Sequence, residues 1–170
     1  MKRHSSAASL VLALLAVLGL AGPVAAGEQV PFEGRFSGVA TVSGGPTILI
    51  GNVNATGNAT QLGSFTLEIP HLVNRGTSPF PFPWSSTGFY QFVAANGDTV
   101  SASFTGQINP IPGGLAHVET ATIIGGTGRF DGATGAFTVE KVVLVDPVTG
   151  ARTAIGSFKG TISSPGAARK

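Results

Sequence analysis

The stretch Gly125-Gly126-Thr127-Gly128-Arg129-Phe130-Asp131-Gly132-Ala133-Thr134-Gly135-Ala136-Phe137 decides how this chain is read. It sets five glycines around two phenylalanines, between two segments with the composition of β-strands. Glycine reaches positive φ without steric cost and leaves room where backbones approach closely. The spacing therefore predicts a tight turn feeding a strand that lies against neighbouring main chain. A phosphate loop is the rival for any glycine cluster. Here no Lys-Ser or Lys-Thr follows, and no helix is available to cradle a phosphate.

Outward from this turn, the chain from Pro31 to Ser163 reads as all-β. Runs rich in Val, Ile, Phe and Thr cover about 32–42, 47–54, 60–70, 86–95, 98–108, 114–124, 133–145 and 152–163. Gly, Pro, Asn and Asp separate them at the spacing of a barrel or sandwich. The expected architecture is one domain over 27–163, an eight-stranded antiparallel closed barrel, with a flattened β-sandwich as the alternative. Residues 164–170 read as a disordered tail. Asn96-Gly97 predicts a two-residue type I′ hairpin. That register would pair Val93 with Val100 and Phe89 with Phe104, turning Gln91, Phe104 and Ile108 inward and leaving Tyr90 and Phe92 outside. Asp146-Pro-Val-Thr-Gly150 predicts a second hairpin that pairs Val139 with Phe158 and Phe137 with Gly160. It also turns Lys141 inward. Phe36-Ser-Gly38, Phe104-Thr-Gly106 and Phe158-Lys-Gly160 fit a tightly curved interior in which each ring needs a small neighbour.

The N-terminus addresses the chain for export. Lys2 and Arg3 precede an apolar run from Ala7 to about Gly22, and Val24-Ala25-Ala26 supplies small residues before a cleavage expected ahead of Gly27. Residues 1–26 thus read as a signal peptide, the mature chain has no membrane span, and the localisation is secreted or periplasmic. Lys2 and Arg3 leave with the leader, after which the remaining 8 basic side chains balance the 8 acidic ones. The basic pI therefore reveals no nucleic-acid surface, which would need clustered Lys and Arg. An outer-membrane barrel is disfavoured because Ser101, Ser103 and Thr105 fall on the expected outer face and the chain has one Trp and one Tyr.

The glycine-rich stretch resembles the Gly-Gly-Thr-Gly-x-Phe-x-x-Ala-x-Gly signature of dirigent proteins and the wider allene oxide cyclase-like barrel superfamily. Gly125, Gly126, Thr127, Gly128, Phe130, Ala133 and Gly135 match it, and Arg129 stands where the family commonly has Lys or Arg. The resemblance implies a small antiparallel barrel with an apolar cavity, often trimeric and working without cofactors. Plant members cyclise an unstable epoxide or orient phenoxy radicals. No functional residue outside the signature aligns, so none is carried over.

Candidate site residues are few. His117 and Glu119 lie two apart on one strand and share a face. They read either as a buried acid/base pair or as residues of the outer face or rim, and the second reading is preferred. Gln91, Phe104 and Lys141 are candidate cavity residues, and Phe80, Phe82 and Trp84 of the proline-rich segment Arg75–Trp84 are candidates to close a barrel mouth or meet another subunit. A plugged end formed by those rings is the alternative. With no cysteine, three histidines and no Gly-x-Ser-x-Gly elbow, neither a metal, a cofactor nor seryl-hydrolase chemistry is expected. The leading expectation is an exported barrel that binds a small apolar molecule without catalysis. A cofactor-free cyclase or isomerase using His117 and Glu119 is the first alternative, and an oligomeric structural or adhesive protein the second.

Overall fold

The computed structural model describes residues 27–163 and 165–166. The leader read over 1–26 and the rest of the tail lie outside the described residues. At the tail, the Gly166 N–H donates to Arg129 O at 2.7 Å. Eight strands follow one another: β1 (Gln29–Gly44), β2 (Ile48–Ala59), β3 (Gly63–Asn74), β4 (Trp84–Ala94), β5 (Thr99–Ile111), β6 (Gly114–Gly126), β7 (Gly135–Val145) and β8 (Arg152–Ser163). Each pairs antiparallel with the next, and β8 returns to β1 from Gln29↔Ser163 to Ala40↔Arg152. The sheet is a closed barrel, as expected, and not a flattened sandwich. Closure leaves no free edge.

Side chains alternate in and out along every strand, so the inward set can be read from pairing. An eight-stranded barrel is just wide enough for side chains to fill. Here Phe32, Phe65, Phe92, Phe137 and Phe158 occupy one half, with ring centroids 4.9–6.2 Å apart among their contacting pairs. Rings lie over cross-strand glycines: a Cβ at Gly156 would meet the Phe36 ring, one at Gly57 the Phe65 ring and one at Gly34 the Phe158 ring. Of the recurring Phe-x-Gly glycines, Gly160 lies against Phe137 as anticipated, whereas Gly38 lies against Ala55 and Gly106 against Glu119. A packed aromatic interior is the opposite of the polar lumen of a transmembrane barrel.

The glycine-rich stretch closes the filled end. Gly128–Phe130 forms a 3-10 turn, with φ positive at Gly125, Gly128, Gly132 and Gly135, and Phe130 and Ala133 are buried beneath the barrel. Arg129 Nε lies 3.5 Å from Asp98 Oδ2, which ties this turn to the neighbouring β4–β5 loop.

That loop corrects one expectation. Ala94 N–H donates to Asp98 O and Gly97 N–H to Ala94 O, both at 2.9 Å, so the loop has three residues, Ala95 to Gly97. Gly97 has φ +88 and Asn96 is not in the positive region, so no type I′ turn forms. The register becomes Val93↔Thr99 and Phe92↔Val100. A one-residue slip moves a whole strand to the other face. Tyr90 and Phe92 therefore point inward and fully buried, while Phe89 and Gln91 are exposed. The inward set of β5 (Val100, Ala102, Phe104, Ile108) is as expected, and the β7–β8 hairpin has the expected pairs Phe137↔Gly160 and Val139↔Phe158.

The register is checkable. Phe92→Ala should cost about 3–5 kcal/mol, the usual loss for emptying a packed aromatic site. Phe89→Ser should stay within about 0.5 kcal/mol, as surface changes do. Urea unfolding midpoints distinguish this from the alternative register, which reverses the order.

Candidate functional site

Above the phenylalanine cluster the interior becomes charged. β6 turns His117 and Glu119 inward, β7 turns Lys141 inward, and β4 contributes Tyr90. All four are buried, Glu119 to 1% and Lys141 to 2% exposure. The preferred reading of His117 and Glu119 as outer-face or rim residues is therefore corrected. They alternate with outward Val118 and Thr120 in step with the ladder, with no slip within 115–121. Glycine makes room for them. Glu119 pairs with Gly106, where a Cβ would collide with its side chain, and Lys141 pairs with Gly156, where a Cβ would stand 2.8 Å from the Lys141 Cβ.

The carboxylate of Glu119 is fully engaged. Lys141 Nζ donates to Oε1 at 2.5 Å, and the Tyr90 hydroxyl donates to Oε2. The ammonium also lies 5.9 Å from the Tyr90 ring centroid and 5.5 Å from that of Phe104. Burial opposes ionisation of Glu119. His117, Lys141 and Tyr90 together outweigh it and hold the carboxyl at about 2. His117 Nδ1 stands 3.6 Å from Oε1, close enough to favour the carboxylate but beyond hydrogen-bond range, so the hydrogen bonds themselves come from Lys141 and Tyr90. Burial and the carboxylate push the Tyr90 hydroxyl well above its ordinary range. Burial also pulls Lys141 below the usual lysine value, against the pull of Glu119.

His117 is the anomaly. It is 4% exposed, yet neither ring nitrogen has a hydrogen-bond partner. A buried imidazole left this way costs free energy until something meets it. Burial lowers its pKa, so the ring is neutral at pH 7. A second histidine, His71 on β3, also has its pKa lowered by burial. Its Nδ1 is 2.9 Å from Ile69 O; a carbonyl only accepts, so Nδ1 carries the proton. Its ring lies over Gly51, and its Cα and Cβ lie against Gly88.

Both histidines face a cavity of about 290 Å3 at the end of the barrel opposite the glycine-rich turn. Its walls are Val53, Val73, Ile108, Leu115 and Val143, and its rim includes Trp84, Arg75 and Arg152. One half of the barrel is thus plugged and the other open, which answers a question that strand patterns alone left undecided. Among the described residues no cluster of three or more His, Cys, Asp or Glu is arranged to hold a metal ion.

The structure unites some of the sequence candidates and separates others. His117, Glu119 and Lys141 come together, and Phe104 packs beside the Lys141 ammonium. Gln91 points outward, for the register reason given above. Of the proline-rich segment, Trp84 reaches the rim and donates its Nε1–H to Phe80 O at 3.0 Å, while Phe82 stacks on Trp84 and remains 39% exposed. Phe80 and Phe82 do not line the cavity. Tyr90, His71, Arg75 and Arg152 were not among the sequence candidates. His71 could have been found: Phe65, Leu67, Ile69, His71 and Val73 alternate with Thr66, Glu68, Pro70 and Leu72, which puts His71 on the core face of β3.

This architecture is a dirigent-like barrel. The structure of the pterocarpan synthase dirigent protein GePTS1 superposes with a TM-score of 0.50 at 13% identity, covering 82% of this chain and 87% of that one. A second, the pterocarpan synthase dirigent protein PsPTS1, gives 0.45 at 12% identity, covering 81% and 96%. No protein-family model and no curated protein matches the chain. At these identities the likeness reaches the fold. Among the described residues no helix is long and apolar enough to cross a membrane.

The charged waist predicts acid lability in two stages. His71 and His117 have folded pKa values below their ordinary 6.5, so the unfolded chain binds more protons as pH falls through that value, and stability declines. Glu119, lowered from 4.5 to about 2, adds a second decline between those values. Urea midpoints measured against pH should show both, and the double variant Glu119→Gln/Lys141→Met should shrink the second to what Asp146, also lowered by its turn hydrogen bonds, contributes. Glu119→Gln alone should lose about 3–5 kcal/mol at neutral pH, because it strands the Lys141 ammonium in the interior.

Proposed function

We propose that this chain is an exported barrel that holds a small, largely apolar molecule in its open half, with His117 as the polar anchor at the cavity floor. The observation that carries this reading is the pairing of apolar walls with an unpartnered, buried His117. Pockets of this kind orient a ligand with a few polar groups set into hydrophobic walls. A cavity of about 150 Å3 accommodates benzene; at about 290 Å3 this one suits one or two rings or a short branched chain. A neutral imidazole offers one donor and one acceptor, which suits a hydroxyl or carbonyl on the ligand.

The second reading is a cofactor-free isomerase or cyclase in which His117 moves a proton. The neutral, unpartnered imidazole favours it, and the names of the pterocarpan synthase neighbours describe synthases on a similar scaffold. Glu119 speaks against its own part in such chemistry. A carboxylate held at about 2 with both oxygens engaged has little driving force to take a proton near pH 7.

Native mass spectrometry of the protein recovered from its export compartment tests the proposal. The expected result is an excess mass that disappears on denaturation and is absent from Leu115→Trp, whose indole would fill the cavity. A chain that is empty both as recovered and after incubation with an extract of its host would refute binding. Recovery of a chemically altered molecule after incubation would favour the second reading.

A further inference from the structure

Resting on the reading that the cavity holds an apolar molecule, we infer that this molecule carries a carboxylate, bound at the barrel mouth by Arg75 and Arg152. Among the described residues, no Asp or Glu lines the cavity, whereas two arginines do. The charges deeper in the barrel cancel, since Glu119 and Lys141 form an ion pair with each other. The mouth therefore carries two positive charges with nothing inside the cavity to balance them.

Neither guanidinium is engaged elsewhere with an anion among the described residues. Arg152 is half-buried and makes no ion pair or side-chain hydrogen bond. The acid nearest in sequence, Asp146, accepts the N–H groups of Val148 and Thr149, each at 2.8 Å, and is committed to its own turn. It pairs in the hairpin with Ala151, one position out of phase with the inward Val145 and Arg152. Arg75 is held in place by aromatic faces: its guanidinium carbon lies 4.5 Å from the ring centroids of both Phe80 and Trp84. Its Nε is buried and has no hydrogen-bond partner. Stacking of this kind fixes the plane of the guanidinium and leaves its edge free, and that edge carries the forked donors that match a carboxylate.

The proline-rich segment thereby acquires a purpose. Phe80 and Trp84 orient a cation at the rim instead of plugging the mouth. The ligand is correspondingly amphiphilic: a ring or short chain between the valines and Leu115, any hydroxyl or carbonyl toward His117, and an anionic group at the rim.

Isothermal titration of the mature protein with 2-naphthoate and its neutral isostere 2-naphthamide tests this. The acid should bind about tenfold or more tightly than the amide, the size of effect expected for a hydrogen-bonded charge. That preference should shrink as salt is raised from about 0.05 to about 1 M. Arg152→Gln should weaken naphthoate about tenfold and change naphthamide less than about twofold. Equal binding of acid and amide by the wild type, or equal weakening of both in Arg152→Gln, overturns the inference and leaves the apolar cavity reading standing. Binding of neither probe counts against both. Should Arg152→Gln fail to fold, the wild-type preference and its salt dependence decide the matter alone.

Discussion

The width of an eight-stranded barrel governs this molecule. Its interior admits about one layer of large side chains from each direction, so a ring on one strand demands near-absence of side chain on the next. Gly57, Gly156 and Gly160 meet that demand for phenylalanines, Gly51 and Gly88 for His71, and Gly106 and Gly156 again for Glu119 and Lys141. Where rings are plentiful the barrel is solid. Toward the other end the inward residues become Val53, Val73, Leu115 and Val143, which are too small to meet in the middle, and space is left over. The cavity is a consequence of side-chain size along the strands, without any change in backbone architecture.

The Glu119–Lys141–Tyr90 group sits at the boundary between the two halves. Buried ion pairs seldom add much net stability, because desolvation consumes most of the attraction. Their structural effect here is geometric. With both Glu119 oxygens hydrogen-bonded, the pair is tied across β4, β6 and β7, and it gives the cavity a floor of defined shape. His117 stands on that floor, 3.6 Å from the carboxylate, and is the one group of the cluster with both polar atoms uncommitted.

Much of the fold was legible in the sequence and the site was legible in part, for physical reasons. Strand count, closure and the β7–β8 register follow from local composition, turn chemistry and the need of Phe137 and Phe158 for small partners. The β4–β5 register did not follow. Asn-Gly favours a two-residue turn, but Tyr90 and Phe92 gain far more from burial than a turn type contributes, and a three-residue loop with Gly97 at positive φ delivers them to the core. Burial of His117 and Glu119 was hidden because charged residues in a core look locally like exposed ones. Only the partners on other strands, Lys141, Tyr90 and Gly106, make that burial tolerable, and no local pattern brings those together. Arg75 and Arg152 both line the cavity from positions far apart in the chain, which spacing does not reveal.

The separation of a solid half from a hollow one has an evolutionary consequence. The glycine-rich turn, Phe130 and the phenylalanine cluster lie at the far end from the cavity, so most of the residues that fill the barrel are different from those that line the cavity, although Val53 and Val143 belong to both sets. Partly exposed lining residues such as Leu115 and Arg152 can change at little cost to the packed half, so the mouth can vary while the container persists. Descendants of one ancestral barrel would then share the turn and diverge at the mouth, keeping a common shape after their mouths had ceased to resemble one another.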